Sequence, residues 1–238
     1  MALHVERRGE GPTLVLVHGF TQTGRSWGAL ADALAADHEV VLPDAPGHAG
    51  SSEVRADLPT GGDLLVEAAA GPATFVGYSM GARLCLHAAL AHPDAVRGLV
   101  LVGGTAGLED ADERAARVEQ DRATADRLEA LGLDRFLEEW LAQPLFAGLG
   151  PDQAGLEERR RNTVAGLRSS LELAGTGAQD SLWDRLGELT MPVLAVAGAQ
   201  GASSDVVISQ VYAGGGNAGA TYTNDFVEIG RASCRERV

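Results

Sequence analysis

The chain has 238 residues, of which 45% are hydrophobic and 22% are charged, and its formal net charge is −14. This size and composition are typical of a soluble globular protein with one domain, or one domain with an insertion. The negative charge argues against nucleic acid or an anionic membrane as a partner. It does not exclude a small anionic ligand that is held by a local cluster of arginines.

Several other classes are excluded in the same way. No apolar run reaches the roughly 18 residues needed to span a bilayer, and Met1–Gly11 has no signal-peptide core. Two cysteines, Cys85 and Cys234, give no disulfide framework and suit a reducing compartment, so we expect a cytoplasmic protein. The sequence shows no Cys/His cluster for a metal and no phosphate-binding loop, so we expect no cofactor. The chain has no lysine, which excludes Schiff-base chemistry on a lysine side chain.

Apolar runs alternate with helical patterns along the chain, which is typical of a mostly parallel sheet covered by helices. Ser26–Ala36 predicts a helix with Trp27, Leu30 and Leu34 on one buried face. Met80–Ala91 is almost wholly apolar and predicts a helix packed centrally against the sheet. The predicted strands are Thr13–Val17, Glu39–Leu42, Thr74–Val76, Gly98–Val102 and Pro192–Ala197.

The segment from Leu108 to about Ala174 has no strand pattern, and its charges alternate with Leu, Phe and Trp at helical spacing. Such a segment between two sheet strands predicts a helical cap over the edge where open α/β sheets bind their ligands. We therefore divide the chain into a core (1–107 and 175–199), a cap (108–174) and a tail (200–238).

A G-x-S-x-G pattern, Gly77-Tyr78-Ser79-Met80-Gly81, lies directly between a predicted strand and a predicted helix. A sharp turn in this position strains the serine and exposes its hydroxyl, and the helix N-terminus adds backbone N–H groups beside it. The pattern therefore predicts Ser79 as the nucleophile-position serine of an α/β-hydrolase fold.

The loop after the first predicted strand contains His18-Gly19-Phe20. In this fold the backbone N–H groups of Phe20 and Met80 are expected to form an oxyanion hole. The alternative for the loop is a turn whose histidine caps the strand end. His48 is predicted to be a structural turn histidine, with lining of the pocket as its alternative.

Three segments carry a more specific resemblance: Leu16–Thr21, Gly77–Arg83 and the cap sequence Trp140–Phe146. Together they resemble the menaquinone-pathway synthases that make 2-succinyl-6-hydroxy-2,4-cyclohexadiene-1-carboxylate, over about residues 1–198. The resemblance implies a lyase on a hydrolase fold, which eliminates pyruvate from a cyclohexene polycarboxylate with the triad serine as base. It also implies these substrate-binding residues: His18, Tyr78, Arg83, Arg122, Trp140 and Arg160.

The arginines also have structural interpretations. Cap arginines are usually solvated and paired with nearby acids, in pairs that contribute about 0–1 kcal/mol, and the register of Arg160 against Arg159 and Arg161 is uncertain by one. Arg83 differs, because it interrupts an apolar helix one turn after Ser79. A buried unpaired charge there would cost several kcal/mol, so we expect an anionic partner or ligand.

The rest of a catalytic triad is missing from the sequence. The segment after the last predicted strand, Gly198-Ala199-Gln200-Gly201, has no carboxylate, and no histidine follows His92. Since the serine needs a base and the base an acid, we expect this polypeptide to be nearly inactive. The alternatives to the lyase are a generic serine esterase and a triad-less binding protein.

The tail carries a hypothesis of its own. Ser203–Val227 resembles the opening strand of lamin-tail-like domains, and Glu228–Val238 resembles a translated sequencing adapter. We therefore expect a chimeric or truncated chain joined near residues 199–202, in which the fold's last strand and helix are replaced. The alternative is a divergent protein. The segment Ser204–Tyr212 alternates like a strand and is a candidate to pair with the sheet edge left open.

Overall fold

The structure is a computed structural model that describes residues 1–146, 149–150, 154–198 and 206–212, with backbone only for 197–198 and 206–212. The loop after the last predicted strand and the two resemblances of the tail lie outside the described residues, apart from the backbone of 206–212.

The centre of the fold is a seven-stranded sheet in the order β1-β3-β2-β4-β5-β6-β7. Pairing is parallel from β3 through β2, β4 and β5 to β6, and antiparallel at both edges. The strands are β1 (Val5–Arg8), β2 (Thr13–Val17), β3 (Glu39–Pro43), β4 (Ala73–Tyr78), β5 (Val96–Val102), β6 (Val193–Gly198) and β7 (Val206–Tyr212).

All five predicted strands are present within a few residues of their expected bounds. The prediction missed β1, because three of its four residues are charged and it lies at the sheet edge, where side chains meet water. The strand-like segment of the tail forms β7, whose backbone pairs antiparallel with β6 from Val206 to Tyr212. This strand covers the edge of β6.

Helices cover both faces of the sheet because alternate strand residues point to opposite sides. On one face Val15 and Val17 pack in the large core with α2 and α3. On the other face Leu14 and Leu16 pack against α1 and the turn before it. The helices are α1 (Gly28–Leu34), α2 (Leu58–Ala69), α3 (Met80–Ala91), α4 (Ala111–Leu131), α5 (Leu133–Leu141), α6 (Leu156–Arg159) and α7 (Val164–Ala174).

The first predicted helix is wrong in one respect. Leu30 is 51% exposed, although the spacing placed it on a buried face with Trp27 and Leu34. Residues Gly24–Trp27 form a separate 3-10 turn, and Gly28 follows it at φ +47°. Because this break separates Trp27 from α1, the three side chains do not share one continuous helical face.

Between β5 and β6 the described residues form helices and loops only. Helices α4, α5 and α7 pack around Leu128, Phe136, Leu137 and Leu167, and Phe20 of the core contacts this cluster. Ser170 of α7 lies over the start of α3, where its hydroxyl donates to Met80 Sδ at 3.3 Å. These contacts place the helices over the carboxyl ends of β2 and β4. No helix in the described ranges is long and apolar enough to cross a membrane.

Close packing of α2 against α3 depends on Gly62, where a Cβ would lie 2.8 Å from the backbone nitrogen of Ala88. We expect Gly62→Ala to lower the free energy of unfolding by about 2 kcal/mol, because overpacking outweighs the helix propensity of alanine. Urea unfolding followed by circular dichroism measures this.

The matched control is Gly187→Ala, where the added Cβ meets nothing within 4 Å. Its free energy of unfolding should change by less than about 0.5 kcal/mol. Equal stability of the two variants would contradict the packing argument.

Candidate active site

Ser79 lies between the end of β4 and the start of α3, with φ +54° and ψ −112°. Two glycines make this turn possible. A Cβ at Gly77 would lie 2.5 Å from the backbone of Ala82, and one at Gly81 would lie 2.6 Å from the carbonyl oxygen of His18. A non-glycine residue in this backbone region is strained, and such strain is concentrated at functional sites.

The loop after β2 approaches the same turn. Gly19 allows the contact, because a Cβ there would lie 2.9 Å from Cδ1 of Tyr78. Its backbone N–H donates to Gln22 Oε1 at 2.9 Å. Thr21, at φ +65°, follows Phe20, whose ring packs against Trp140 of the cap. The half-buried Tyr78 ring therefore packs under this loop.

Two buried histidines fix the shape of this loop. His18 Nε2 accepts from Ala45 N at 2.9 Å, and its Nδ1 lies 2.8 Å from the Gly19 carbonyl oxygen. His48 Nε2 accepts from Thr21 N at 3.3 Å, and its Nδ1 lies 3.0 Å from Pro46 O. Each ring is therefore a neutral tautomer that donates through Nδ1 and accepts through Nε2. This agrees with the structural interpretation of His48.

For His18 the arrangement differs from the sequence expectation. The side chain is buried, and both ring nitrogens bond to backbone groups. It therefore supports the loop from behind and does not line the cavity described below. Burial lowers the pKa of His18 to about 4 and that of His48 to about 3, so both are uncharged at neutral pH.

Two cap residues hold the loop from above. The guanidinium of the buried Arg159 donates to Thr21 Oγ1 and to Ala154 O, the latter at 2.8 Å. Asn162 Nδ2 donates to Thr21 O at 2.7 Å. The arginine run was expected to contribute Arg160, but Arg160 pairs with Asp134 and Glu157 on the surface. The sequence did not indicate that Arg159 is the buried residue, since Arg159, Arg160 and Arg161 are adjacent and alike.

A cavity of about 780 Å³ lies between the sheet and the cap. The carboxyl ends of β2, β4 and β5 contribute Phe20, Ser79 and Gly103 to its wall. The residues predicted from sequence that share this cavity are Phe20, Ser79, Met80, Arg83 and Trp140. The structure therefore brings the predicted serine, both predicted oxyanion-hole residues and one predicted arginine together.

Arg83 is the most buried cation of the cavity wall, at 7% exposure. Within the described ranges it forms no salt bridge, and its Nη1 donates only a long hydrogen bond of 3.5 Å to Gln179 Oε1. Burial, followed by repulsion from Arg117, lowers its pKa to about 10, so the guanidinium remains charged at neutral pH. The carboxylate of Asp121 favours the charged form of Arg83 electrostatically, but no carboxylate of the described ranges lies within salt-bridge distance of the guanidinium, which leaves its hydrogen-bond donors open to an anion.

Helix α4 places a different arginine in the cavity from the one that was predicted. Arg117 lines the wall, and its Nε donates to Asp121 Oδ1 at 2.9 Å. Asp121, which is 6% exposed, also accepts from Gly177 N at 3.1 Å. Arg122 points to solvent and pairs with Glu119. Five residues turn a helix by about 500°, so Arg117 and Arg122 cannot share one face.

The Trp140 indole lines the cavity and packs against Phe20, with ring centroids 5.3 Å apart. Its Nε1–H is buried without a hydrogen-bond partner in the described part of the chain. Since this atom is buried, it does not face the cavity, and the Trp140 ring contributes an apolar surface to the wall.

Residues 14–229 match the alpha/beta hydrolase family. The chain belongs to the α/β hydrolase family. Among its curated relatives is the 2-succinyl-6-hydroxy-2,4-cyclohexadiene-1-carboxylate synthase of Photorhabdus laumondii, which is 34% identical over 79% of this chain and 70% of that protein. The protein of the same name from Escherichia coli O1:K1 is 33% identical over 75% of this chain and 73% of that protein.

Solved structures give the same fold. The structure of MenH from S. aureus superposes with a TM-score of 0.74 at 25% identity, over 81% of this chain and 78% of that one. An esterase from Thermogutta terrifontis superposes with a TM-score of 0.69 at 24% identity, over 85% and 76% of the two chains.

In this α/β hydrolase the buried histidines make stability depend on pH. The unfolded chain takes up these protons near pH 6.5, but His18 does so in the folded protein only near pH 4. Between these values the unfolded state binds more protons, so we expect the free energy of unfolding to fall as pH falls. Urea unfolding at a series of pH values measures the slope.

His48→Gln should reduce that slope by about 1.4 kcal/mol per pH unit, which is the contribution of one proton. His38→Gln, at a partly exposed surface position, is the control and should leave it unchanged. Equal slopes in the wild type and His48→Gln would contradict the neutral assignment.

Proposed function

We propose that this α/β hydrolase binds a cyclic polycarboxylate in the cavity and represents the lyase type that eliminates pyruvate from such a substrate. The observation that carries the proposal is Arg83, a buried cation that faces the cavity with no carboxylate of the described ranges within salt-bridge distance. The names of the curated relatives support it, since their product carries carboxylates.

We further propose that the core and the cap contribute different residues to the site. The core, 1–107 and 175–199, supplies Ser79 and the loop of Phe20, while the cap, 108–174, supplies Arg117 and Trp140. A guanidinium can bind a carboxylate with two parallel hydrogen bonds, so Arg83 and Arg117 fix the orientation of a ligand that carries two carboxylates. The aromatic ring of Trp140 covers the apolar ring of the ligand.

In this proposal Ser79 occupies a nucleophile elbow, and the backbone N–H groups of Phe20 and Met80 receive developing negative charge on the substrate. The serine removes a ring proton, a ring double bond forms as the C–O bond to the enolpyruvyl group breaks, and the enolate that leaves takes up a proton to become pyruvate. The serine needs a base for this step. His18 and His48 have both ring nitrogens bonded to backbone groups, and no histidine follows His92.

We therefore expect the 238-residue polypeptide to turn over about a millionfold more slowly than a relative with a complete triad. Pyruvate release coupled to lactate dehydrogenase measures this. Family-level release that disappears in Ser79→Ala would contradict the expectation. Hydrolysis of aryl esters that depends on Ser79 but not on Arg83 would favour the esterase alternative.

Binding tests the proposed substrate class without turnover. Titration calorimetry with 2-succinylbenzoate, an aromatic dicarboxylate, should show binding that weakens about 10- to 100-fold in Arg83→Gln, because a charge-assisted hydrogen bond is lost. Arg117→Gln should weaken binding in the same direction.

Arg122→Gln and Arg160→Gln are the matched controls, since both side chains pair with surface carboxylates. They should leave the affinity unchanged. Binding that is equally strong in the wild type and in Arg83→Gln would refute a carboxylate site at this position.

A further inference from the structure

A second ion pair lies on the cavity wall, between the two cap helices α4 and α5. Arg127 Nε donates to Glu139 Oε2 at 3.0 Å, and its Nη2 donates to Oε1 at 2.8 Å. This is the two-pronged geometry in which a guanidinium binds a carboxylate. Both residues line the same cavity as Ser79 and Arg83. Glu139 therefore occupies the position on Arg127 that a ligand carboxylate would occupy.

The two cap ion pairs of the cavity differ in how firmly they are held. Asp121 is buried and accepts from both Arg117 and Gly177 N, so moving it would leave a buried N–H unpaired. The side chains of Arg127 and Glu139 are 57% and 41% exposed. Water can replace either partner of this second pair, and exposed pairs of this kind contribute little to stability.

The exposed fractions of the side chains indicate where the Arg127–Glu139 pair lies in the cavity. Arg83 is buried at the floor of the cavity, whereas Arg127 is more than half exposed and lies at its solvent end. Both arginines line the same cavity, so each is accessible to a carboxylate of a ligand that occupies it. Arg127 lies ten residues after Arg117 in α4, nearly three turns further along the helix, and both side chains line the cavity.

We propose that Arg127 is a substrate-binding residue at the cavity entrance, and that a carboxylate of the ligand replaces Glu139 as its partner. This inference rests on the proposed function, because it needs an anionic ligand with more than one carboxylate. Glu139 then sets specificity. It keeps Arg127 oriented in the free protein, so a ligand binds there only with a carboxylate that can replace Glu139 on the guanidinium.

The test is a double-mutant cycle on the affinity for 2-succinylbenzoate, measured by titration calorimetry at low and high salt. Glu139→Gln should tighten binding about 3-fold, because Arg127 no longer has a competing carboxylate. Arg127→Gln should weaken binding about 3- to 10-fold. In the Arg127→Gln background, Glu139→Gln should leave the affinity unchanged. In the wild-type background, the increase in affinity caused by Glu139→Gln should be smaller at high salt.

The proposal predicts affinity changes of opposite sign in Glu139→Gln and Arg127→Gln, which a purely structural role would not produce. If the pair only braced α4 against α5, removing either partner would change the affinity in the same direction. Glu119→Gln is the matched control, since Glu119 pairs with Arg122 on the same helix outside the cavity wall. It should leave binding unchanged.

Two outcomes would overturn the inference. One is an affinity that is unchanged or weakened in Glu139→Gln, and the other is simple additivity in the cycle. If Arg83→Gln still weakens binding in that case, the proposed function stands and only the role of Arg127 fails. If Arg83→Gln has no effect either, the carboxylate site itself is refuted.

Discussion

The close contact between the turn at Ser79 and the end of β2 is the constraint on which the rest of the site depends. Gly81 lies so near the carbonyl oxygen of His18 that a methyl group there would collide with it. This contact fixes where α3 begins and holds Ser79 at φ +54°. Because α3 begins there, Arg83 comes one turn later and faces the cavity. A single steric condition therefore sets the positions of both the serine and the buried cation.

Charge is distributed unevenly over the cavity, which supports the proposal that it binds an anion although the net charge of the protein is −14. Arg117 and Arg127 each have a carboxylate partner, whereas Arg83 has only a long hydrogen bond to Gln179. An arriving anion gains most at Arg83, since no competing carboxylate has to leave. The long-range repulsion by the acidic surface is screened within about 8–10 Å at physiological salt, so the local cations dominate inside the cavity.

The cap both closes the cavity and maintains its shape. Arg159 and Asn162 hydrogen-bond Thr21, so the loop that carries Phe20 is held between core and cap. His48 supports the same loop from below through Thr21 N. Loops that must present backbone groups to a reaction gain from such fixation, because a preorganised site does not have to be ordered during the reaction. The neutral histidines thus act as structural parts of the site.

The sequence by itself determined the order of the elements and the central turn. Alternating apolar runs located five parallel strands, and G-x-S-x-G between a strand and a helix located Ser79, since both signals are local and periodic. The short edge strand Val5–Arg8 was not predicted, because three of its four residues are charged and give no apolar pattern.

Only the tertiary structure decided which arginines face the cavity or the loop of Thr21 and which face the solvent. Arg117 and Arg122 occupy the same charged helix, and Arg159 and Arg160 are adjacent, so composition and spacing do not distinguish them. Their roles depend on how α4 and α6 are rotated against the core, which long-range packing sets. The same holds for His18, a motif residue whose ring is turned toward the backbone of Ala45 and away from the ligand cavity.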